Sequence, residues 1–148
     1  MPDGRLVAVA WALDNDTGRA LPTPYRISAD GMTFTEQRET GILGQTAKLL
    51  PLDENRLLCV YRRVDKTGLW ANLVELDGDE WNNLGEIPLW QGAATGMTGE
   101  RSKSEELSEL KFGYPSLLRT SSSEVLVAFW CHEDTVWNIR WVRVGLSA

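Results

Sequence analysis

Cationic clusters and long apolar runs are scarce in this chain of 148 residues, and each shortage excludes a class of protein. The formal net charge is −6. Phosphate binding needs clustered lysine and arginine, so we expect no nucleic-acid partner. The same charge argues against docking on anionic membranes. No apolar run approaches the roughly 20 residues that a spanning helix needs. The N-terminal residues lack the regions of a secretory signal, which leaves the compartment unknown and the cytoplasm as the default.

Residues that hold metals or build hydrolytic triads are also few. The one histidine, His132, stands in a Cys-His-Glu-Asp run that fits no standard zinc spacing, and we interpret that run as a structural loop. A Ser-His-Asp triad could form only around this histidine. Cys59 and Cys131 are too few for a disulfide framework, and their apolar surroundings predict buried free thiols. No glycine-rich phosphate loop is present either. With no zinc spacing and no phosphate loop, we expect neither a metal nor a cofactor.

Short apolar runs that follow turn residues dominate what is present. Residues 5–11, 56–62 and 124–130 have the length of strands and are too short for typical helices. Seven tryptophans are an unusual number. Large rings most often pack between sheets, although sugar stacking is the alternative. The runs therefore predict an all-β protein.

One stretch, residues 99–111, has a helical pattern instead. Ser102 and Glu105 fit a capping box, and Leu107 and Leu110 share a face. We expect a short helix near residues 102–111, with most of its charges on a solvated face.

A repeat relates the three strand-like runs to one another. When the sequence is shifted by 68 residues, the run at 56–62 aligns with the run at 124–130. The same shift aligns Val74, in the strand that would follow, with Val142. A shift of 51 residues lays the first run on the second. Repeats of short strands at this spacing are typical of propeller blades, and the difference between the shifts indicates a loop insertion.

Residues 26–34 resemble the Asp-box, the Ser-x-Asp-x-Gly-x-Thr-Trp motif of sialidases and other bacterial neuraminidase repeat (BNR) proteins. The matching residues are Ser28, Asp30, Gly31, Thr33 and Phe34, one residue short between Asp and Gly. The motif is a hairpin turn in which the carboxylate accepts backbone N–H bonds and glycine supplies a positive φ. A generic hairpin is the alternative, and residues 76–81 are a weaker echo of the motif.

The resemblance implies about two and a half to three blades of a sialidase-like six-bladed β-propeller, each a four-stranded antiparallel sheet. The blades would span approximately residues 1–43, 44–91 and 92–148 of a single domain. We expect the chain to be a C-terminal portion of a larger protein. The alternative is that several copies assemble into one ring, since open ends would favour self-association.

Sialidases are retaining glycosidases with a tyrosine nucleophile, a glutamate beside it, and arginines that grip the substrate carboxylate. The resemblance makes Tyr114, at the start of an innermost strand, the candidate nucleophile. The alternative is that Tyr114 only lines the central channel of the propeller or packs there. It makes Arg62 a candidate carboxylate ligand. The family's glutamate would fall on Gln45, whose amide cannot act as a base, so Gln45 is a candidate for substrate binding only. Arg26 is a further substrate-binding candidate that no motif supports.

Two functions follow from these observations. One is a sialidase-like glycoside hydrolase of the exo-α-sialidase type, or a fragment of one, that acts on terminal sugars of glycans. The other is a non-catalytic BNR-repeat propeller that binds a carbohydrate or a protein partner. The amide of Gln45 favours the binding function for this chain. The family likeness favours the hydrolase for the larger protein of which the chain would be a portion. A glycan or small carbohydrate is the expected ligand. Further candidates without a motif are Asp14, Asp16, Arg63 and Arg101.

Overall fold

The computed structural model describes residues 1–93 and 100–146, and in these ranges the chain is all-β with one short helix. Both features were expected and are confirmed. The strands are β1 (Leu6–Val9), β2 (Ala12–Leu13), β3 (Ala20–Leu21), β4 (Pro24–Ser28), β5 (Arg38–Glu39), β6 (Gly44–Pro51), β7 (Arg56–Arg63), β8 (Leu69–Asp77), β9 (Glu80–Trp90), β10 (Phe112–Ser121), β11 (Glu124–Glu133) and β12 (Val136–Gly145). The helix α1 spans Lys103–Ser108.

Antiparallel pairing joins the strands into three main sheets. The first sheet has the order β1-β4-β5, the second β6-β7-β8-β9 and the third β10-β11-β12, while β2 and β3 form a small hairpin. Within the second and third sheets each strand pairs with the next strand in the chain. Short hairpin connections are therefore enough to build both sheets.

The second sheet lies between the other two, and its strand β7 is buried on both faces. Leu57, Cys59 and Tyr61 pack with residues of the first sheet. Leu58 and Val60 pack with residues of the third sheet. Successive side chains of a strand point to opposite faces, so a strand covered on both sides reads as a continuous apolar run. This explains the unbroken hydrophobic sequence at residues 57–61.

Strand β12 is offset by two residues relative to β8, its counterpart under the predicted shift of 68 residues. Val74 pairs with Leu57, and Val144 pairs with Val125, which stands 68 residues after Leu57. The β11–β12 hairpin thus holds two more residues than its counterpart. The predicted overlay of Val74 on Val142 is therefore wrong. Because side chains alternate with a period of two, the even offset still buries the same face.

The helix α1 begins with the predicted capping box. The backbone N–H of Glu105 donates to Ser102 Oγ at 3.4 Å, and the backbone N–H of Ser102 donates to Glu105 Oε2 at 3.1 Å. Gly99, at the start of the predicted helical stretch, lies outside the described residues. Within residues 1–93 and 100–146, no helix has the length and hydrophobicity needed to cross a membrane.

Both cysteines are buried free thiols, as expected. Cys59 and Cys131 lie in different hydrophobic clusters, one on each side of the second sheet. Burial raises the pKa of the Cys59 thiol to about 12 and also raises the pKa of Cys131. Neither thiol is therefore a reactive group at neutral pH.

The turn after β4 has the hydrogen bonds expected of an Asp-centred hairpin. Asp30 Oδ1 accepts the backbone N–H groups of Thr33 at 2.7 Å and Met32 at 2.8 Å, and the Ser28 hydroxyl at 3.0 Å. Gly31 takes a φ of +75°. These donors hold the pKa of the Asp30 carboxyl at about 2.

The Asp30 turn should make stability depend on acidity. Because the folded pKa is lowered, its stabilising contribution is present above the ordinary pKa and is lost as the pH falls toward 2. We expect Asp30→Asn to lower the melting temperature at neutral pH and to match the unsubstituted protein near pH 2. Thermal unfolding across that range checks this, with Asp16→Asn as the control. A deficit of Asp30→Asn that persists undiminished to pH 2 would contradict the assignment.

Candidate functional site

A pocket of about 320 Å³, here called the inner pocket, opens where the three sheets and α1 meet. It receives residues from the end of β1, from β6 and β10, which are the first strands of the second and third sheets, from β7 and from the helix segment. The lining residues are Val9, Ala10, Trp11, Thr46, Ala47, Arg62, Leu107, Leu110 and Tyr114. Its lining thus combines residues of all three sheets with residues of the helix segment.

Two residues of this pocket have a left-handed backbone although neither is glycine. Thr46 has a φ of 52° and Tyr114 a φ of 48°. They stand 68 residues apart, at bulges where the registers of β6 and β10 with their neighbours shift. Such a conformation costs about 1–3 kcal/mol for a residue with a Cβ, and it is typical of functional sites. The bulges turn both residues toward the pocket.

The floor of the pocket contains a buried guanidinium. Arg62 is 1% exposed; its Nη1 donates to the carbonyl of Phe112 at 3.1 Å, and its Nη2 donates to Gln45 Oε1 at 2.9 Å. A Cβ on Gly113 would lie 3.0 Å from Nη1, so glycine leaves room for this approach. Burial lowers the Arg62 pKa to about 10, with the nearby Tyr114 acting in the opposite direction. Arg62 therefore stays charged at neutral pH.

The sequence-predicted site residues separate into two groups. Tyr114, which is 66% exposed, and Arg62 both line the inner pocket, and Gln45 contacts the pocket through Arg62. Arg26 lies exposed on β4 with its neighbours in the chain facing the second sheet, and it does not line the pocket. The structure thus brings together three of the four candidates.

The other arginine candidates form ion pairs at the surface. Arg63 pairs with Asp65 at 2.6 Å and also with Glu86. Arg101 pairs with Glu109 at 2.5 Å. Neither arginine lines the inner pocket.

The remaining polar candidates have structural surroundings. Asp14 Oδ1 accepts the backbone N–H of Thr17 at 2.7 Å in the β2–β3 hairpin, where Asp16 is exposed. The His132 ring lies 4.8 Å from the Trp137 ring, measured between centroids. In the part of the chain that the structure describes, no three His, Cys, Asp or Glu side chains gather in a way that could hold a metal ion.

Sequence reasoning missed part of the pocket. Thr46 was not a candidate, yet its buried Oγ1 has no hydrogen-bond partner within the described residues. Trp11, Leu107 and Leu110 also line the pocket. Thr46 stands 68 residues before Tyr114, which is the spacing of the sequence repeat, so the repeat could have indicated Thr46 as a candidate. The contributions of Trp11 and the two leucines depend on how distant segments pack, which has no local signal.

The chain is an all-β protein of antiparallel sheets that pack face to face. One solved structure has a similar fold. A protein of unknown function from Dyadobacter fermentans superposes with a TM-score of 0.67 and 23% sequence identity, over 99% of this chain and 36% of its own. This chain therefore spans just over a third of that protein's length. No family model matches the chain, and no curated protein matches it.

Proposed function

We propose that the three sheets are blades of an incomplete sialidase-like β-propeller and that the chain binds a carbohydrate in the inner pocket. Three features support the propeller. The sheets pack face to face in chain order. The inner strands β6 and β10 lie against each other, as strands around a common axis would. A four-stranded blade that lacks its innermost strand would have β1 as its second strand and β4 as its third, and the Asp30 turn follows β4. The turn at residues 77–80 likewise follows β8, the third strand of the second sheet.

The lining of the inner pocket fits a sugar. Trp11 and Tyr114 expose their rings at its rim, and an aromatic ring offers an apolar face to the C–H groups of a saccharide. The hydroxyl of Thr46 and the guanidinium of Arg62 supply polar groups in the lining of the same pocket. The observation that carries the proposal is the strained backbone of Tyr114, whose exposed ring shares the pocket with the buried guanidinium of Arg62.

Binding fits the pocket better than hydrolysis does. A phenol has an ordinary pKa of about 10 and needs a neighbouring base to act as a nucleophile. The described lining of the pocket contains no carboxylate, and Gln45 is an amide. Sialidase-like hydrolysis is the second candidate, because Tyr114 and Arg62, the nucleophile and the carboxylate ligand that the resemblance implies, line the same pocket.

A glycan array followed by calorimetric titration of the best ligand tests the binding proposal. We expect Tyr114→Ala to weaken binding at least about tenfold, equivalent to about 1.4 kcal/mol, because the ring that contacts the sugar is removed. Trp137→Ala is the matched control, since Trp137 is an exposed aromatic outside the pocket, and it should leave the affinity unchanged. Equal losses in the two variants would contradict the site, and the absence of any glycan ligand would contradict the function.

A fluorogenic sialoside separates the two candidates. We expect no turnover by the folded protein. Turnover that Tyr114→Phe abolishes would favour hydrolysis over binding alone, because that substitution keeps the ring and removes only the hydroxyl.

A further inference from the structure

The described lining of the inner pocket offers a ligand several hydrogen-bond donors and few acceptors. The guanidinium of Arg62 and the indole of Trp11 can only donate. The hydroxyls of Thr46 and Tyr114 can donate or accept. The described lining side chains include no carboxylate and no amide. A ligand that fits this lining must supply acceptors and must bury few hydroxyl protons of its own.

Two of these polar groups are buried and have no protein partner. Arg62 is 1% exposed, and its Nε–H meets no acceptor among the described residues. The buried Oγ1 of Thr46 is also unpaired within them, and Thr46 follows Gln45, which pairs with Arg62 across β6 and β7. Nη1 and Nη2 of Arg62 already donate within the protein. Buried donors without acceptors are unfavourable, so this side of the pocket favours a ligand that brings oxygen atoms.

The helix segment contributes only aliphatic side chains to the same pocket. Leu107 lies in α1 and is 52% exposed, and Leu110 follows α1. Ala47, next to Thr46 in the bulge of β6, adds a methyl group. A ligand hydroxyl placed against these side chains would lose water and gain no hydrogen bond. A ligand methyl group in the same place would be stabilised by its burial.

The size of the pocket limits how much of a glycan it can hold. Its volume of about 320 Å³ is near the lower end of the range for ligand pockets, which is about 300–1,000 Å³. A single terminal sugar fits this size better than a longer saccharide does.

We propose that the inner pocket selects a terminal deoxyhexose, a sugar in which a methyl group replaces the hydroxymethyl group. The methyl group would contact Leu107 and Leu110, and oxygen atoms of the sugar would accept from Arg62 and Thr46. These four residues belong to the second sheet and to the segment between the second and third sheets. The selection deepens the carbohydrate binding proposed above and rests on it.

Two pairs of sugars that differ only in this group test the selection. L-Fucose is the deoxy counterpart of L-galactose, and L-rhamnose is the deoxy counterpart of L-mannose. In an NMR titration of the protein, we expect one of the deoxy sugars to bind at least about tenfold more tightly than its counterpart, because the added hydroxyl would be buried without a partner. In saturation-transfer NMR, the methyl protons of that sugar should receive the strongest signal.

Leu107→Gln and Leu84→Gln are a matched pair of protein variants. Leu107 lines the pocket and is 52% exposed, whereas Leu84 does not line it and is 51% exposed. Glutamine in place of Leu107 would give the ligand hydroxyl an acceptor, so the preference for the deoxy sugar should fall to about twofold or less. Leu84→Gln should leave the preference unchanged. Circular dichroism verifies that both variants fold.

The outcomes that would overturn the selection differ from those that would overturn carbohydrate binding. Binding of other glycans in the inner pocket without a preference for either deoxy sugar would contradict the selection alone. So would a preference that Leu107→Gln leaves intact, or one that both variants reduce equally. Tighter binding of a sialoside or a uronic acid than of either deoxy sugar would assign the buried guanidinium to a carboxylate instead. No binding of any saccharide would overturn both proposals.

Discussion

Replacing Tyr114 by glycine should raise the free energy of unfolding by about 1 kcal/mol while weakening ligand binding in the inner pocket at least about tenfold. Tyr114 has a φ of 48°, a region that glycine enters without the steric cost of a Cβ. Its ring is largely exposed, so little packing is lost. Urea denaturation and glycan titration of the same protein measure the two effects.

Tyr114→Ala is the control that separates backbone strain from the ring. Alanine removes the ring and keeps the Cβ, so it should weaken binding to the same extent without gaining stability. A Tyr114→Gly protein that is no more stable than Tyr114→Ala would show that the bulge carries no strain. Opposite effects on stability and binding are what we expect where function maintains an unfavourable backbone.

Gln45→Leu should destabilise the protein by about 1.5–3 kcal/mol, the typical value of a hydrogen bond to a charged group. Gln45 Oε1 accepts from Arg62 Nη2 at 2.9 Å, and both side chains are buried. Leucine has a similar size but no acceptor, so the guanidinium would remain buried with one fewer partner. Urea denaturation gives the change in the free energy of unfolding.

The double variant Gln45→Leu/Arg62→Met tests the cause. Removing one member of a buried polar pair costs more than replacing both by apolar residues, so methionine should restore most of the lost stability. If the effects of the two substitutions simply add, the loss in Gln45→Leu comes from packing and not from the uncompensated charge.

The sequence predicted the strands because their signals are local. The apolar runs at residues 56–62 and 124–130 correspond to β7 and β11, whose side chains alternate between two covered faces. The resemblance also brought Tyr114 and Arg62 together in one site, and they share a pocket. Hairpin turns and apolar runs involve neighbouring residues, so the sequence is enough to indicate them.

The missed features depend on long-range packing or on unfavourable backbone. Nothing in Thr46 or Tyr114 indicates a left-handed conformation, since both residue types favour strands. The two-residue offset of β12 arises from hairpin length, which a comparison of apolar runs does not detect. Leu107 lines the same pocket as Val9, Thr46 and Arg62, which lie far from it in the chain.

The most direct test of the account is to map a bound saccharide by NMR chemical shifts in the uniformly labelled protein. The inner pocket predicts that the amide resonances of Thr46, Arg62 and Tyr114 move together during the titration. Those of Ile87 and Val144, which line a separate groove between the second and third sheets, should stay in place. Shifts confined to that groove, or shifts at Tyr114 without any at Thr46, would contradict a single carbohydrate site in the inner pocket.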